Sequence, residues 1–395
     1  MRIGIIVPGR FHAFEVAREL QALGHEVHIR SNYPYHQAER FGIAKTNYRN
    51  LVLQRVAAKL GSMLSPDSQW PEWLESRLMT WFGTWAARSL RSVGDLDLLY
   101  LFSGAALPAL QLDFPGRPLK LVARGSSHID TQDQLLAEEG VRAGLAVARP
   151  SNWMRVRERR EYLAGDHVEV LSTFARDSFL EQGFPPERVH LNTLGCDTSV
   201  FAVAPDTLLA RRARLLRGDR LQVLSVGSFS LRKGAFDLLH IARAFKGQMD
   251  FTMVGDIGGD AVGLAKQAQL EGLIRFQPRV PQSELPSLYA LGDVFLFPTI
   301  EDGFAMTLAQ ALVSGLTVLS TPNCCAADLI ESGRNGVLVA ARDAQGFCNA
   351  LRALDAGRAR TAQIADQGAS TKIRSWREVA SGLISLATKL RAGRA

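Results

Sequence analysis

Two short stretches carry side chains and backbone suited to a ligand that is half polyol and half phosphate. In the first, the apolar run Val294–Phe297 stops at Pro298, an acidic Glu301-Asp302-Gly303 turn follows, and a helix of good formers is predicted from near Phe304. Carboxylates accept hydrogen bonds from neutral hydroxyls, whereas the unpaired N–H groups and positive dipole end of a helix start receive an anion. In the second, the strand Val223–Val226 runs into Gly227-Ser-Phe-Ser-Leu-Arg-Lys-Gly234 before a helix from Ala235. Here Arg232 would hold phosphate oxygens bidentately and Lys233 would act as a point charge. Paired cations at a helix start stabilise the charge that builds on a departing diphosphate. A basic surface turn is the plainer reading of the same residues.

Other candidates are single groups at strand ends. Pro8-Gly-Arg-Phe-His12 follows the first strand, and Gly9 lets backbone approach a ligand there. The turn lacks G-x-G-x-x-G, so it is no dinucleotide fingerprint. Arg10 and His12 either touch a substrate or cap and solvate the turn. His128 lies beyond the strand Leu119–Ala123, aimed to hydrogen-bond a sugar or shuttle a proton. Arg157, Glu158 and Glu161 read mostly as a solvated helix face with surface ion pairs, and so does the arginine-rich stretch Arg211–Arg220. Trp70, Trp73, Trp81 and Trp85, among leucines and arginines, suit either a membrane or acceptor surface or a helix packed on its own domain.

These groups need elements to position them, and the pattern is short apolar strands alternating with helices almost from end to end. Such alternation argues for parallel sheets with crossover helices. Six strands are expected before residue 205 and six after it, giving an α/β chain of two doubly wound domains that face a central cleft. The length of 395 residues also favours two domains. A pI near 9.4 and net charge of +7 suit an anionic ligand or surface. The apolar start ends at Pro8, too short for a secretory signal, and no apolar run reaches a membrane span. Cys196, Cys324, Cys325 and Cys348 show neither metal-ligand nor disulfide spacing, which fits a reducing cytoplasm.

Taken together, Gly227–Gly234 and Glu301–Gly315 resemble the retaining, nucleotide-sugar-dependent glycosyltransferases of family 4, which have the GT-B fold. Supporting matches are Arg159-Arg-Glu-Tyr-Leu-Ala-Gly-Asp-His-Val-Glu-Val-Leu-Ser172, Gly195-Cys-Asp197 with Phe201, Val280-Pro-Gln-Ser-Glu-Leu-Pro-Ser-Leu-Tyr289, Ala327-Asp-Leu-Ile330 and Asn335-Gly336. The resemblance covers nearly the whole chain and implies two Rossmann-like domains. Residues 1–205 would bind acceptor, 206–372 would bind nucleotide sugar, and 373–395 would return as a helix to the first domain.

The family places two glutamates with seven residues between them, and the matching positions here are Asp302 and Gln310. The resemblance implies that the first contacts donor-sugar hydroxyls and the second the ribose, with Glu301 as an alternative first carboxylate. Ser228 stands where many members have arginine, Lys233 matches the family lysine, and His128 matches the histidine near the donor sugar. The nucleotide base would lie at Arg279 and Val280, and the diphosphate between Arg232, Lys233 and the N–H groups of Phe304, Ala305 and Met306. Gly9, Gly227 and Gly303 would line the same site. The expected reaction moves a sugar from a UDP- or GDP-sugar to a hydroxyl of a saccharide or lipid-linked acceptor, with retained configuration. It would use no metal and no tightly bound cofactor. Bacterial polysaccharide, lipopolysaccharide or glycolipid synthesis is the expected setting, in the cytoplasm and at the inner face of an anionic plasma membrane, with no nucleic acid partner. A nucleotide-sugar epimerase of the same fold and a non-catalytic sugar-nucleotide or membrane-binding protein are the alternatives.

Overall fold

The computed structural model describes residues 1–54, 56 and 71–394. Its strands form two separate sheets, each parallel throughout. The first contains β1 (Arg2–Val7), β2 (Glu26–Ser31), β3 (Tyr48–Asn50), β4 (Leu98–Phe102), β5 (Leu119–Arg124), β6 (His167–Val170) and β7 (Val189–Leu191), in the order β3-β2-β1-β4-β5-β6-β7. The second contains β8 (Gln222–Val226), β9 (Asp250–Val254), β10 (Ile274–Gln277), β11 (Val294–Phe297), β12 (Thr317–Ser320) and β13 (Val337–Leu338), in the order β10-β9-β8-β11-β12-β13. Central strands such as β4 and β11 are apolar at nearly every position because helices cover both faces of each sheet. The edge strand β3 adds to the expected set, since Tyr48-Arg-Asn50 has no apolar run to mark it and exposes Arg49.

Each sheet reverses its strand order once, between β1 and β4 and between β8 and β11. Loops leaving the carboxyl ends of such a strand pair diverge to opposite faces, which opens a crevice where ligands bind. The loops concerned are those after β1 and β4 in the first sheet and those after β8 and β11 in the second.

Two helices stitch the chain together. Pro205–Leu216 is fastened to the second domain by Arg211, which is 1% exposed and donates to the carbonyls of Gly292, Ser314, Gly315 and Tyr289. The solvated face expected for this arginine is therefore wrong, because the N–H donors of its fixed fork satisfy carbonyls left over at the C-terminal ends of two helices, Leu285–Leu291 and Met306–Val313. Trp376–Ala392 starts with a Ser375/Glu378 capping box and buries Trp376, Val379, Leu383 and Ala387 in the core that holds Phe14, Val16 and Leu20. The last helix thus packs on the first domain.

A buried polar chain ties this helix to the first sheet. Arg374 donates to Asn192 at 2.8 Å, Asn192 donates to Glu169 at 2.7 Å, and the hydroxyl of Tyr100 donates to Glu169 and lies 3.2 Å from His12 Nε2. Burial pushes the Glu169 carboxyl up to about 7, despite the stabilising hydrogen bonds from Tyr100 and Asn192. The folded state therefore holds this proton more tightly than the unfolded chain. Its contribution to stability is full below the ordinary carboxyl range and is lost as pH rises through about 7. Glu169→Gln should lessen the fall in urea midpoint between about pH 5 and about pH 8 relative to the wild type. An equal fall in both proteins would show that Glu169 does not titrate this way.

Candidate functional site

The basic loop after β8 is shaped by its neighbour after β11. Leu231–Lys233 form a short 3-10 turn, and Gly234 follows at φ 78°. A Cβ on Gly234 would lie 1.9 Å from the Pro298 carbonyl oxygen, so only glycine fits against that loop. The Arg232 carbonyl accepts from Ile300 N–H at 3.0 Å and from Thr299 Oγ1 at 3.2 Å. Backbone contacts and the Thr299 hydroxyl thereby fix the two cations against the two carboxylates.

The four charges pair one to one. Lys233 Nζ lies 2.5 Å from Asp302 Oδ2, and Arg232 Nε lies 2.8 Å from Glu301 Oε2. Lys233 also sits 5.7 Å above the Phe297 ring. Burial would raise the Glu301 carboxyl, but Arg232, the Ser126 hydroxyl, Lys233 and the Ser127 N–H outweigh it and hold the acid well below its usual range. Burial lowers Lys233 below the usual lysine value, and Asp302 opposes this.

Glu301 also reaches across the cleft. Its carboxylate accepts from Ser126 Oγ at 2.6 Å, from Ser127 N–H and Oγ at 2.9 Å each, and from Gln132 Nε2 at 3.1 Å. Ser126 Oγ in turn is 2.9 Å from Arg232 Nη2. These first-domain groups lie in the loop after β5 and the first turn of helix Ile129–Ala143. The two domains meet further at Arg142–Asp237 (2.7 Å), Arg342–Glu138 (2.8 Å) and Thr173 N–H to Asp328 (3.0 Å). The cleft is closed at this point.

The structure brings Arg232, Lys233, Glu301, Asp302 and Gly303 together. Glu301 is fully buried and spends its oxygens on Arg232 and the first domain, so it does not present a free carboxylate to a sugar. His128 caps helix Ile129–Ala143, where its Nδ1 accepts from Asp130 N–H at 3.3 Å, and its ring packs on Tyr162 and Phe179. Burial lowers its pKa to about 4, partly opposed by Asp130. The ring is therefore neutral at pH 7, with its proton on Nε2 to suit the Asp130 contact.

The helix after the acidic turn starts at Met306 rather than near Phe304. Met306 N–H turns back to the Phe304 carbonyl at 3.0 Å, which removes it as an anion donor. The N–H groups of Phe304 and Ala305 have no acceptor among the described residues. Gln310 is buried one turn further on and accepts from Tyr289 Oη at 3.1 Å. Arg279 is exposed and Val280 half-buried in the loop after β10. Gly9 and Gly227, at φ 114° and 143°, end β1 and β8.

Arg157, Glu158 and Glu161 are buried instead of solvated. Glu161 accepts from the N–H groups of Gly104 (2.6 Å) and Leu107 (3.0 Å), Arg157 donates to Gly104 O (2.7 Å), and Glu158 pairs with Arg124 (2.7 Å). They brace the loops after β4 and β5, a use that i,i+3 and i,i+4 spacing does not reveal. Ser126, Ser127 and Gln132 join the site beyond the residues expected from sequence. Their only signal is the run of small polar residues beside His128. Trp73 and Trp81 are 63% and 44% exposed, while Leu78 and Phe82 bury the opposite face of helix Glu72–Arg91 and Trp85 stacks beside Phe82. Trp70 lies outside the described residues. Cys324 and Cys325 are buried around the start of helix Ala326–Leu329.

A Cβ on Gly303 would come within 2.2 Å of the Gly125 carbonyl oxygen, across the cleft. Gly303→Ala should therefore fold normally yet fail to close. Small-angle scattering should give a larger radius of gyration than for the wild type, with an unchanged thermal midpoint. An unchanged radius would show that the Gly125–Gly303 approach does not govern closure.

Comparison with known proteins agrees with this geometry. Residues 220–356 match the family model described as Glycosyl transferases group 1. The chain is 23% identical over 393 residues to the MMP alpha-(1->4)-mannosyltransferase of Mycolicibacterium hassiacum, covering 95% of this chain and 92% of that one. It is 25% identical over 308 residues to the GDP-mannose-dependent alpha-(1-6)-phosphatidylinositol monomannoside mannosyltransferase of Mycolicibacterium smegmatis, covering 74% and 76%. Among solved structures, the sucrose-phosphate synthase of Thermosynechococcus elongatus superposes with a TM-score of 0.71 at 17% identity, over 100% of both chains. Anabaena HepE in complex with UDP-glucose gives 0.68 at 17% identity, again over 100% of both. The two parallel sheets facing a cleft are the GT-B fold of these structures, and residues 220–356 are similar to the Glycosyl transferases group 1 family.

Proposed function

We propose that the chain is a retaining glycosyltransferase that moves a sugar from a UDP- or GDP-sugar to a hydroxyl of a saccharide or lipid-linked acceptor. The observation that carries this reading is the pairing of Arg232 with Glu301 and Lys233 with Asp302 at the β8/β11 switch point. A diphosphate there meets Lys233, Arg232 and the N–H groups of Phe304 and Ala305, while Asp302 is one side chain away to accept from sugar hydroxyls. Gln310 takes the ribose, Arg279 and Val280 flank the base, and Gly9 and Gly227 allow close backbone approach. Neutral His128 is a hydrogen-bond donor through Nε2 rather than a general acid. In this division residues 1–205 serve the acceptor, 206–372 the donor, and 373–395 couple the two.

As the bond between the anomeric carbon and the diphosphate oxygen breaks, negative charge grows on the diphosphate. Lys233, released from Asp302, and Arg232, still paired with Glu301, stabilise it. The acceptor oxygen bonds to the anomeric carbon from the same face, and its proton passes to the departing phosphate oxygen. Closure over the cleft excludes water from the reactive donor. Names of relatives that use GDP-mannose and of a structure with UDP-glucose support a nucleotide-sugar donor. Among the described residues no helix is long and apolar enough to cross a membrane. Exposed Trp73 and Trp81 with exposed Arg77 and Arg88 support peripheral contact with an anionic membrane from the cytoplasmic side.

UDP-, GDP- and ADP-sugars screened by thermal shift should include at least one that stabilises the protein. Lys233→Ala should then lower turnover about a hundredfold or more, as expected for a donor aimed at developing charge. Turnover that survives this change would remove the diphosphate role. Activity is expected to persist in chelator, and loss restored by Mg²⁺ or Mn²⁺ would overturn metal independence.

A further inference from the structure

Helix Ile129–Ala143 follows the first sheet's β5 and meets the second domain at both of its ends. At its start, Gln132 Nε2 donates to Glu301 at 3.1 Å, and Ser127 N–H, just before the helix, donates to the same carboxylate at 2.9 Å. At its end, Arg142 makes a two-pronged pair with Asp237 at 2.7 and 2.8 Å, and its guanidinium lies 4.9 Å over the Phe236 ring. Gln132 and Arg142 are roughly 15 Å apart along the helix axis. Their contacts flank one turn of the second domain, because Phe236 and Asp237 lie in the first turn of helix Ala235–Ala244, which leaves the loop of Arg232 and Lys233.

The far end of the helix is also gripped from a different loop. Arg342 lies between β13 and helix Ala344–Ala356 with φ 67°, in the left-handed region that arginine rarely adopts. Such a conformation persists where surrounding contacts over-determine it. The Arg342 guanidinium makes those contacts across the domain boundary, to Leu135 O at 2.7 Å, Glu138 at 2.8 Å and Glu139 at 3.3 Å. Among the described residues its hydrogen bonds all go to this helix. Glu139 is 0% exposed and also binds Arg142 at 2.6 Å, so one buried carboxylate joins the two arginines. A charge buried to that depth is tolerated only while its partners stay in place.

We propose that Arg342 is a positioning residue for Arg232, acting through helix Ile129–Ala143 as a strut. The inference rests on the glycosyltransferase reading and deepens it. A helix held at one end swings, whereas one held at both ends keeps Gln132 and Ser127 against Glu301. Glu301 in turn holds Arg232 at 2.8 Å. Arg342 secures the distal end, and its own backbone strain is released whenever that grip is lost. The alignment of the basic turn is thereby tied to a contact remote from it, carried by one continuous element.

Arg342→Gly tests the strut without threatening the fold, since glycine adopts positive φ freely and the thermal midpoint should hold. Hydrogen–deuterium exchange on the whole protein should become faster in peptides covering residues 127–132 and stay unchanged in those of β1 and β4. Affinity for whichever UDP-, GDP- or ADP-sugar the wild type binds should fall about threefold or more, and Arg342→Lys should recover part of that loss. In an Arg232→Ala background the glycine change should have almost no further effect, because the path runs through Arg232. Equal losses in the two backgrounds, unchanged affinity with Arg232 present, unchanged exchange around Ser127, or a clear drop in thermal midpoint would each overturn the proposal. If the wild type binds none of the nucleotide sugars, the donor reading fails, and exchange around Ser127 alone decides the strut.

Discussion

The cleft is organised around one buried carboxylate. Glu301 carries its charge at 0% exposure, which is tolerable only because Arg232 neutralises it and Ser126, Ser127 and Gln132 fill its remaining acceptor sites. Those partners come from both domains. Removing one partner from a buried pair of this kind costs about 3–5 kcal/mol, because the other charge is left uncompensated. Separating the domains has a milder form of the same penalty, since water can replace the serines. The carboxylate therefore makes the orientation of Arg232 depend on whether the first domain is in place.

The arrangement also explains how two adjacent cations can stay packed before any anion arrives. Arg232 and Lys233 are neighbours on a tight turn and repel each other, and each is matched by an acid from the next strand's loop. The four groups form a neutral set in which an entering diphosphate can replace Asp302 on Lys233 while Arg232 keeps its buried partner Glu301. Little net desolvation is needed at that step. The same logic braces the first domain, where Arg157, Glu158 and Glu161 hold the loops after β4 and β5 from within.

Much of this was legible in the amino-acid order because it depends on local chemistry. Apolar runs ending in glycine or proline marked the strands, and the strand ends marked the loops carrying Arg232, Lys233 and Asp302. What escaped notice depends on contacts between distant residues. Arg211 and Glu161 look like surface residues in a charged helix, yet carbonyls and N–H groups from other loops bury them. Whether Glu301 or Asp302 points into the site is set by Gly125–Ser127, about 175 positions earlier in the chain. The start of the helix at Met306 turns on a single backbone bond to Phe304, beyond the reach of helix propensity. Tryptophan spacing fitted a helix, but the buried stripe passes through Leu78 and Phe82 and leaves Trp73 and Trp81 outside.

The final helix has a consequence for the order in which the molecule can be made. Domains emerging from a ribosome generally fold from the N-terminus onward. Here the first domain cannot be completed that way, because Asn192 waits for Arg374, 182 positions later, and Phe14, Val16 and Leu20 wait for Trp376 and Leu383. Until synthesis nears its end, helix Ala13–Ala22 lacks its apolar cover, and Glu169 lacks the link through Asn192 to a cation. The second domain has no such debt to late residues of another unit. The first domain can therefore complete its core only after residues 374–383 have been synthesised.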